Sequence, residues 1–313
     1  MVTVPNINDP AFLEDPFPFF EMGRQMSPLR MPNMEMWMAF KYDECVSMLR
    51  DHGTWSSFGQ ADPNAPPPSM LGSDPPRHTR LRGLVSQAFT PRMVEQLEPR
   101  IREIAAELLD PAIERGECDL VETLSYPLPV IVIAEILGVR PEDRDRFKEW
   151  SDEVVATLGT GVNGQGREIR QETFEEMRDY LMGMVEERRK TPKSDLISGL
   201  VQAEMDGEKL TFDELLQMLI LLLVAGNETT TNLIGNTALE FMAHPDEFAK
   251  VRDNLELVPS ALEEVLRFNS PVQATVRRPT ADVELSGRPV AKGTPVVVWL
   301  AAANRDPAQF ADP

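Results

Sequence analysis

The chain has 313 residues, 42% hydrophobic and 26% charged, a composition that excludes disordered and fibrous classes and supports a sizeable core. A formal net charge of −20 disfavours nucleic acid and anionic membrane as partners. Two cysteines, Cys45 and Cys118, exclude a disulfide framework and a zinc ribbon, so a reducing, cytoplasmic compartment is expected.

Taken in chain order, Met1-Val2-Thr3-Val4-Pro5 has no basic segment leading into an apolar one, so no secretory signal is visible. Met36 to Phe40 reads as a short strand and Tyr42 to Arg50 as a helix. Prolines 63 and 66–68, with Gly59 and Gly72, make Ser56 to Asp74 a loop. Helical periodicity then spans His78–Ala88, Pro91–Glu114, Val130–Leu137, Arg144–Leu158, Arg167–Lys190 and Asp195–Glu204. It continues over Thr211–Ala243, Asp246–Asn254 and Ser260–Arg267. Capping boxes, Thr211-x-x-Glu214 and Ser260-x-x-Glu263, mark two helix starts. Val283–Leu285, a Ser286-Gly287 turn and Thr294–Leu300 look like strands of a small sheet. No repeat or linker divides residues 1–313, so one mainly helical domain with a minor sheet is predicted. Gly159-x-Gly161-x-x-Gly164 fits a dinucleotide fingerprint but lacks the strand before it, and reads as an interhelical loop. Asn227-x-Thr229 fits a glycosylation sequon inside a predicted buried helix; both matches are rejected.

The helix from Thr211 is the most informative segment. Leu215 to Ala225 leaves almost no polar face, which predicts passage through a protein interior. The run is too short to span a membrane. It is followed by Gly226, Asn227, Glu228, Thr229, Thr230, Thr231 and Asn232. A buried carboxylate without partners is costly, so this block implies water, a cofactor or a reacting ligand. Ala225 and Thr229 share a face one turn apart, and Gly226 lets a ligand approach the backbone. The Thr229 hydroxyl can bond that ligand or its own i−4 carbonyl, which predicts local opening of the helix. Glu228 stands beside it as a proton source. Helix physics alone leaves an equal reading, a polar patch covered by neighbours with Gly226 there for packing.

Ala225-Gly226-x-Glu228-Thr229-Thr230 resembles the oxygen-binding helix of the cytochrome P450 family, the haem-thiolate monooxygenases. Glu264-x-x-Arg267 is similar to the family's helical ion pair, whose third arginine would fall beyond Pro313. Asp74-Pro75-Pro76-x-His78-x-x-x-Arg82 is also similar, and from Arg77 to Arg92 there are four arginines and no acid. Read without the resemblance, that stretch is a solvated basic face. With it, His78 and Arg82 are implied haem-propionate ligands, and Arg277 a third, with Arg278 the alternative. The remaining basic surface is implied to face an acidic redox partner. Ala303-Asn304-Arg305-Asp306-Pro307 looks like the segment after the family's last sheet strand.

The resemblance implies a multihelical fold with a small sheet that stops before the haem-ligand loop. The implied activity is insertion of one oxygen atom of O2 into an apolar small molecule. Haem b is the implied cofactor; electrons originate from NAD(P)H and arrive through ferredoxin or flavodoxin and its reductase. Thr229 would hydrogen-bond the bound oxygen and Glu228 would deliver protons, while Ala225 and Gly226 flank the haem. Leu222, Val272 and Ala274 are expected to line the substrate pocket, roofed by Gly59–Gly72 and Gly159–Glu175. Neither Cys45 nor Cys118 has the surroundings of the family's iron ligand, which is expected past Pro313, so this chain alone is expected to be inactive. The alternative is a non-catalytic remnant or a haem-free helical binding protein.

Overall fold

A computed structural model describes residues 9–31, 34–57, 69–158, 170–203 and 207–313. They form a mainly helical fold with a small β component, as predicted. The chain divides into two compact units, Met1–Pro75 with Asn236–Pro313, and Pro76–Gly235.

The first unit is organised on five strands: β1 (Leu29–Arg30), β2 (Trp37–Ala39), β3 (Trp55–Ser56), β4 (Ala274–Pro279) and, after a separate hairpin, β7 (Val296–Trp299). The hairpin pairs β5 (Val283–Leu285) with β6 (Arg288–Val290). The sheet order is β1-β2-β7-β4-β3; β2 and β7 run parallel, with Met38 opposite Val297, and the other neighbours antiparallel. Val296-Val297-Val298-Trp299 is buried at all four positions, as a central strand covered on both faces must be. One face packs Cys45, Met48 and Trp55 with Val296 and Val298. The other gathers Phe12, Phe19, Phe20 and Phe40 around Trp299, with centroids 5.1–6.4 Å from the indole.

The segment Ala303–Pro307 fastens this unit. The Arg305 guanidinium lies 3.6 Å from the Phe17 ring centroid and 3.5 Å from that of Phe268, and its Nε donates to Phe268 O at 2.7 Å. Asp306 is buried and accepts from Tyr42 N at 2.9 Å, so it caps helix Tyr42–Arg50 from across the sequence.

The second unit is helical: Arg77–Ala88, Pro91–Arg115, Pro127–Leu137, Arg144–Leu158, Gln171–Lys190, Leu196–Gln202 and the first part of the long helix Phe212–Ala243. A π-turn at Val121–Ser125 leads into Pro127–Leu137. A buried ion pair, Arg188 Nε to Asp195 Oδ2 at 2.8 Å, closes on Gly138, whose carbonyl accepts from Arg188 Nη2 at 3.1 Å.

Several expectations need correction. Pro10–Glu14, Phe17–Met26, β1, β3 and β4 were not predicted. The box at Thr211 forms reciprocally, Glu214 N to Thr211 Oγ1 at 3.2 Å and Thr211 N to Glu214 Oε2 at 3.0 Å. The one at Ser260 does not, because Pro259 starts that helix early, at Val258, and Ser260 Oγ turns back to Leu257 O at 2.9 Å. Of the predicted roof, residues 59–68 and 159–169, the latter holding the rejected glycine motif, lie outside the described residues.

Candidate active site

The long helix runs without a break from Phe212 to Ala243, so the predicted opening at mid-span is absent. Thr229 Oγ1 donates to Ala225 O at 2.7 Å and thereby adds to the helix ladder. Burial is also less complete than the apolar run suggested. Leu215, Leu216, Met218, Leu219 and Leu223 are buried, whereas Ile220, Leu221, Leu222 and Val224 are half-buried. Averaged over its best 18-residue window the helix reaches a hydropathy of 1.2, enough by length and composition for a membrane span. The shorter uninterrupted run read from the sequence hid this, because an average tolerates the polar residues between.

At the polar block, Ala225 is exposed, while Gly226, Glu228 and Thr229 are half-buried. A Cβ on Gly226 would meet only Ile133 Cδ1, at an ordinary 3.8 Å, so packing does not require glycine there. Glu228 forms no hydrogen bond or ion pair among the described residues, and burial alone pushes its carboxyl above the usual carboxylate range. An alcohol and a protonatable acid therefore stand side by side on an accessible turn.

Elsewhere in the same unit, Arg77–Ala88 presents His78 half-buried and Arg82 exposed, neither with a side-chain partner among the described residues. The free basic surface is smaller than predicted. Arg80 Nη2 donates to the buried Glu214 carboxylate, which Arg77 Nη1 also approaches at 3.2 Å. A buried carboxylate needs such partners, so two of the four arginines are already engaged with it.

In the other unit, Arg277 lies on β4, half-buried, with Nη1 donating to Val276 O at 2.9 Å and Thr275 Oγ1 at 3.3 Å. No carboxylate among the described residues is hydrogen-bonded to it, and burial pushes its pKa down against the opposing pull of Asp74. Arg278, the alternative, pairs with Ser56 of β3. Ala274 opens β4 half-buried, and Val272 before it is 47% exposed. Glu264 and Arg267 form a two-pronged pair, Nη2–Oε1 2.6 Å and Nε–Oε2 2.8 Å. Arg267 also donates to Asn304 O at 2.8 Å and Asp312 O at 3.0 Å.

These donors suit a haem in part. A half-buried guanidinium whose acceptors among the described residues are neutral matches a propionate. The cysteines do not suit its iron. Cys45 is buried among sheet residues, its Sγ donates to Ala39 O at 3.6 Å, and burial beside Glu44 pushes the thiol up to about 12. Cys118 is exposed in the stretch after Gly116.

Comparison with known proteins decides the class: the model of the cytochrome P450 family matches residues 67–313. The chain belongs to the cytochrome P450 family. It is 41% identical over 302 residues to the putative cytochrome P450 YjiB of Bacillus subtilis, a match covering 95% of this chain and 76% of that relative. The structure of cytochrome P450 CYP109Q5 from Chondromyces apiculatus is similar with a TM-score of 0.86 at 41% identity, covering 97% of this chain and 78% of that one. CYP109E1 from Bacillus megaterium in complex with testosterone gives 0.84 at 40% identity, over 95% and 78% of the two chains. The multihelical fold and the monooxygenase class follow from membership in the P450 family. What sequence reasoning missed around this P450 site is the pairing of Arg77 and Arg80 with Glu214, for which the four acid-free arginines were the only local hint.

Proposed function

We propose that this chain carries the proton-delivering and propionate-binding parts of a haem-dependent monooxygenase acting on an apolar small molecule. The observation that carries the reading is the turn Ala225–Thr229, where an alcohol and an acid with no partner among the described residues lie on an accessible stretch after the helix's apolar run. When bound, haem supplies the iron at which dioxygen is reduced and cleaved. His78, Arg82 and Arg277 each present a donor suited to a propionate, the role that the family resemblance implies for them. Thr229 releases Ala225 O to donate toward an acceptor on that side of the helix, and Glu228 reloads it with a proton through water. Electrons from NAD(P)H arrive through ferredoxin or flavodoxin and its reductase, in the cytoplasm. An apolar substrate agrees with the accessible apolar side chain of Leu222 and, separately, with those of Val272 and Ala274. A relative of similar fold was solved with testosterone, which supports a substrate of that apolar character.

Glu228→Gln tests the assignment in the haem-loaded, thiolate-ligated enzyme. Its haem content is expected to stay unchanged while product formation falls roughly a hundredfold, the usual scale for loss of a positioned acid. Unchanged turnover would remove Glu228 from the mechanism.

A further inference from the structure

The long helix carries a second polar site, on the side turned toward helix Arg144–Leu158. Asn227 is 1% exposed, and its Nδ2 donates to Ser151 Oγ at 2.8 Å. Ser151 is itself fully buried. With the amide so placed, Asn227 Oδ1 is left buried without a partner among the described residues. Thr231 Oγ1 is buried and unpartnered as well.

Helix geometry puts these orphans together. Asn227 and Thr231 are i and i+4, and Glu228 and Thr231 are i and i+3, so Thr231 stands between the other two on the helix surface. Buried acceptors without donors are rare in native proteins, and an internal water with two to four polar partners is their common resolution. We propose that Asn227 Oδ1 and Thr231 Oγ1 hold one internal water beside the long helix, and that this water donates to the Glu228 carboxylate. Its hydrogen bonds balance: it accepts from the Thr231 hydroxyl and donates one hydrogen to Asn227 Oδ1 and the other to Glu228. Among the described residues burial is the one cause that raises the Glu228 carboxyl, so a neutral donor there acts directly on it. Thr231 and Asn227 then act as positioning residues that set how readily the acid charges. This meaning rests on the proton-delivery reading above; the water site itself does not.

The test uses the whole chain without haem. A crystal structure is expected to show an ordered water within about 3.2 Å of Asn227 Oδ1, Thr231 Oγ1 and a Glu228 oxygen. Infrared titration of the Glu228 carboxyl, identified by difference against Glu228→Gln, supplies the second readout. Thr231→Val is expected to raise its midpoint by about one pH unit, because the charged form loses a donor. Thr231→Ser, which keeps the hydroxyl, is expected to titrate like the parent. A dry site in the crystal, or an unmoved midpoint in Thr231→Val, overturns the proposal. Neither result touches turnover in Glu228→Gln, so failure here is distinct from failure of the catalytic assignment.

Discussion

Glu228 is a residue at which stability and function oppose each other. Burial raises its carboxyl pKa in the folded chain above the unfolded value, so the charged form is destabilising in the fold. The sign follows from linkage. The penalty is absent below the unfolded pKa, about 4.3, and grows as pH rises through the folded value. Glu228→Gln should therefore melt about 1–3 °C higher than the parent at pH 8, with the gain gone near pH 4, as followed by thermal denaturation. A gain independent of pH would show that the charge is not its source. Thr229 differs, because its hydroxyl already has an acceptor in Ala225 O and is stable with or without a ligand.

Among the elements, what could be read in the sequence follows the range of the interaction that decides each one. Arg144–Leu158 and the start of the long helix follow from periodicity and a capping box, settled within a few residues, whereas Tyr42–Arg50 follows from periodicity but takes its cap from Asp306. The Ser260 box obeys the same pattern and fails, since Pro259 at the helix start takes precedence. Strands β3 and β4 were not legible: β4 owes its extended form to pairing with β7, Arg277 opposite Val296, and β3 to pairing with β4. For the same reason Glu214 went unrecognised as the partner of an arginine 134 positions earlier. The site residues were nameable because four short motifs carry a family resemblance, not because periodicity singles them out.

The buried pair Arg188–Asp195 supplies a prediction at this scale. Gly138 has φ +76°, and a Cβ there would stand 2.6 Å from Asp195 Oδ2 and 2.9 Å from Arg188 Nη2. Gly138→Ala must distort both the backbone and the ion pair, at a cost of about 2–4 kcal/mol measured by urea unfolding. In an Arg188→Ala background part of that cost should vanish, because the guanidinium is no longer there to be displaced. Full additivity would mean that backbone strain and the approach to Asp195, not the guanidinium, set the cost.

For the molecule as a whole, membership in the cytochrome P450 family gives the fold and the class of chemistry, while the cysteines bear on the metal. A buried thiol with its pKa pushed up to about 12 is a poor source of thiolate, and Cys45 is also tied into the sheet core. Supplied with haem and reduced under carbon monoxide, the 313-residue chain should lack the red-shifted Soret band of thiolate ligation. Appearance of that band would assign the iron to Cys45 or Cys118.

The acid–alcohol turn meets its sharpest test in the thiolate-ligated enzyme, with Thr, Ser or Ala at position 229 and electron use compared with product formed. Serine should couple nearly as well as threonine, while alanine should keep its haem and divert most electrons to hydrogen peroxide. Equal coupling by all three side chains would contradict a role for the Thr229 hydroxyl in proton delivery.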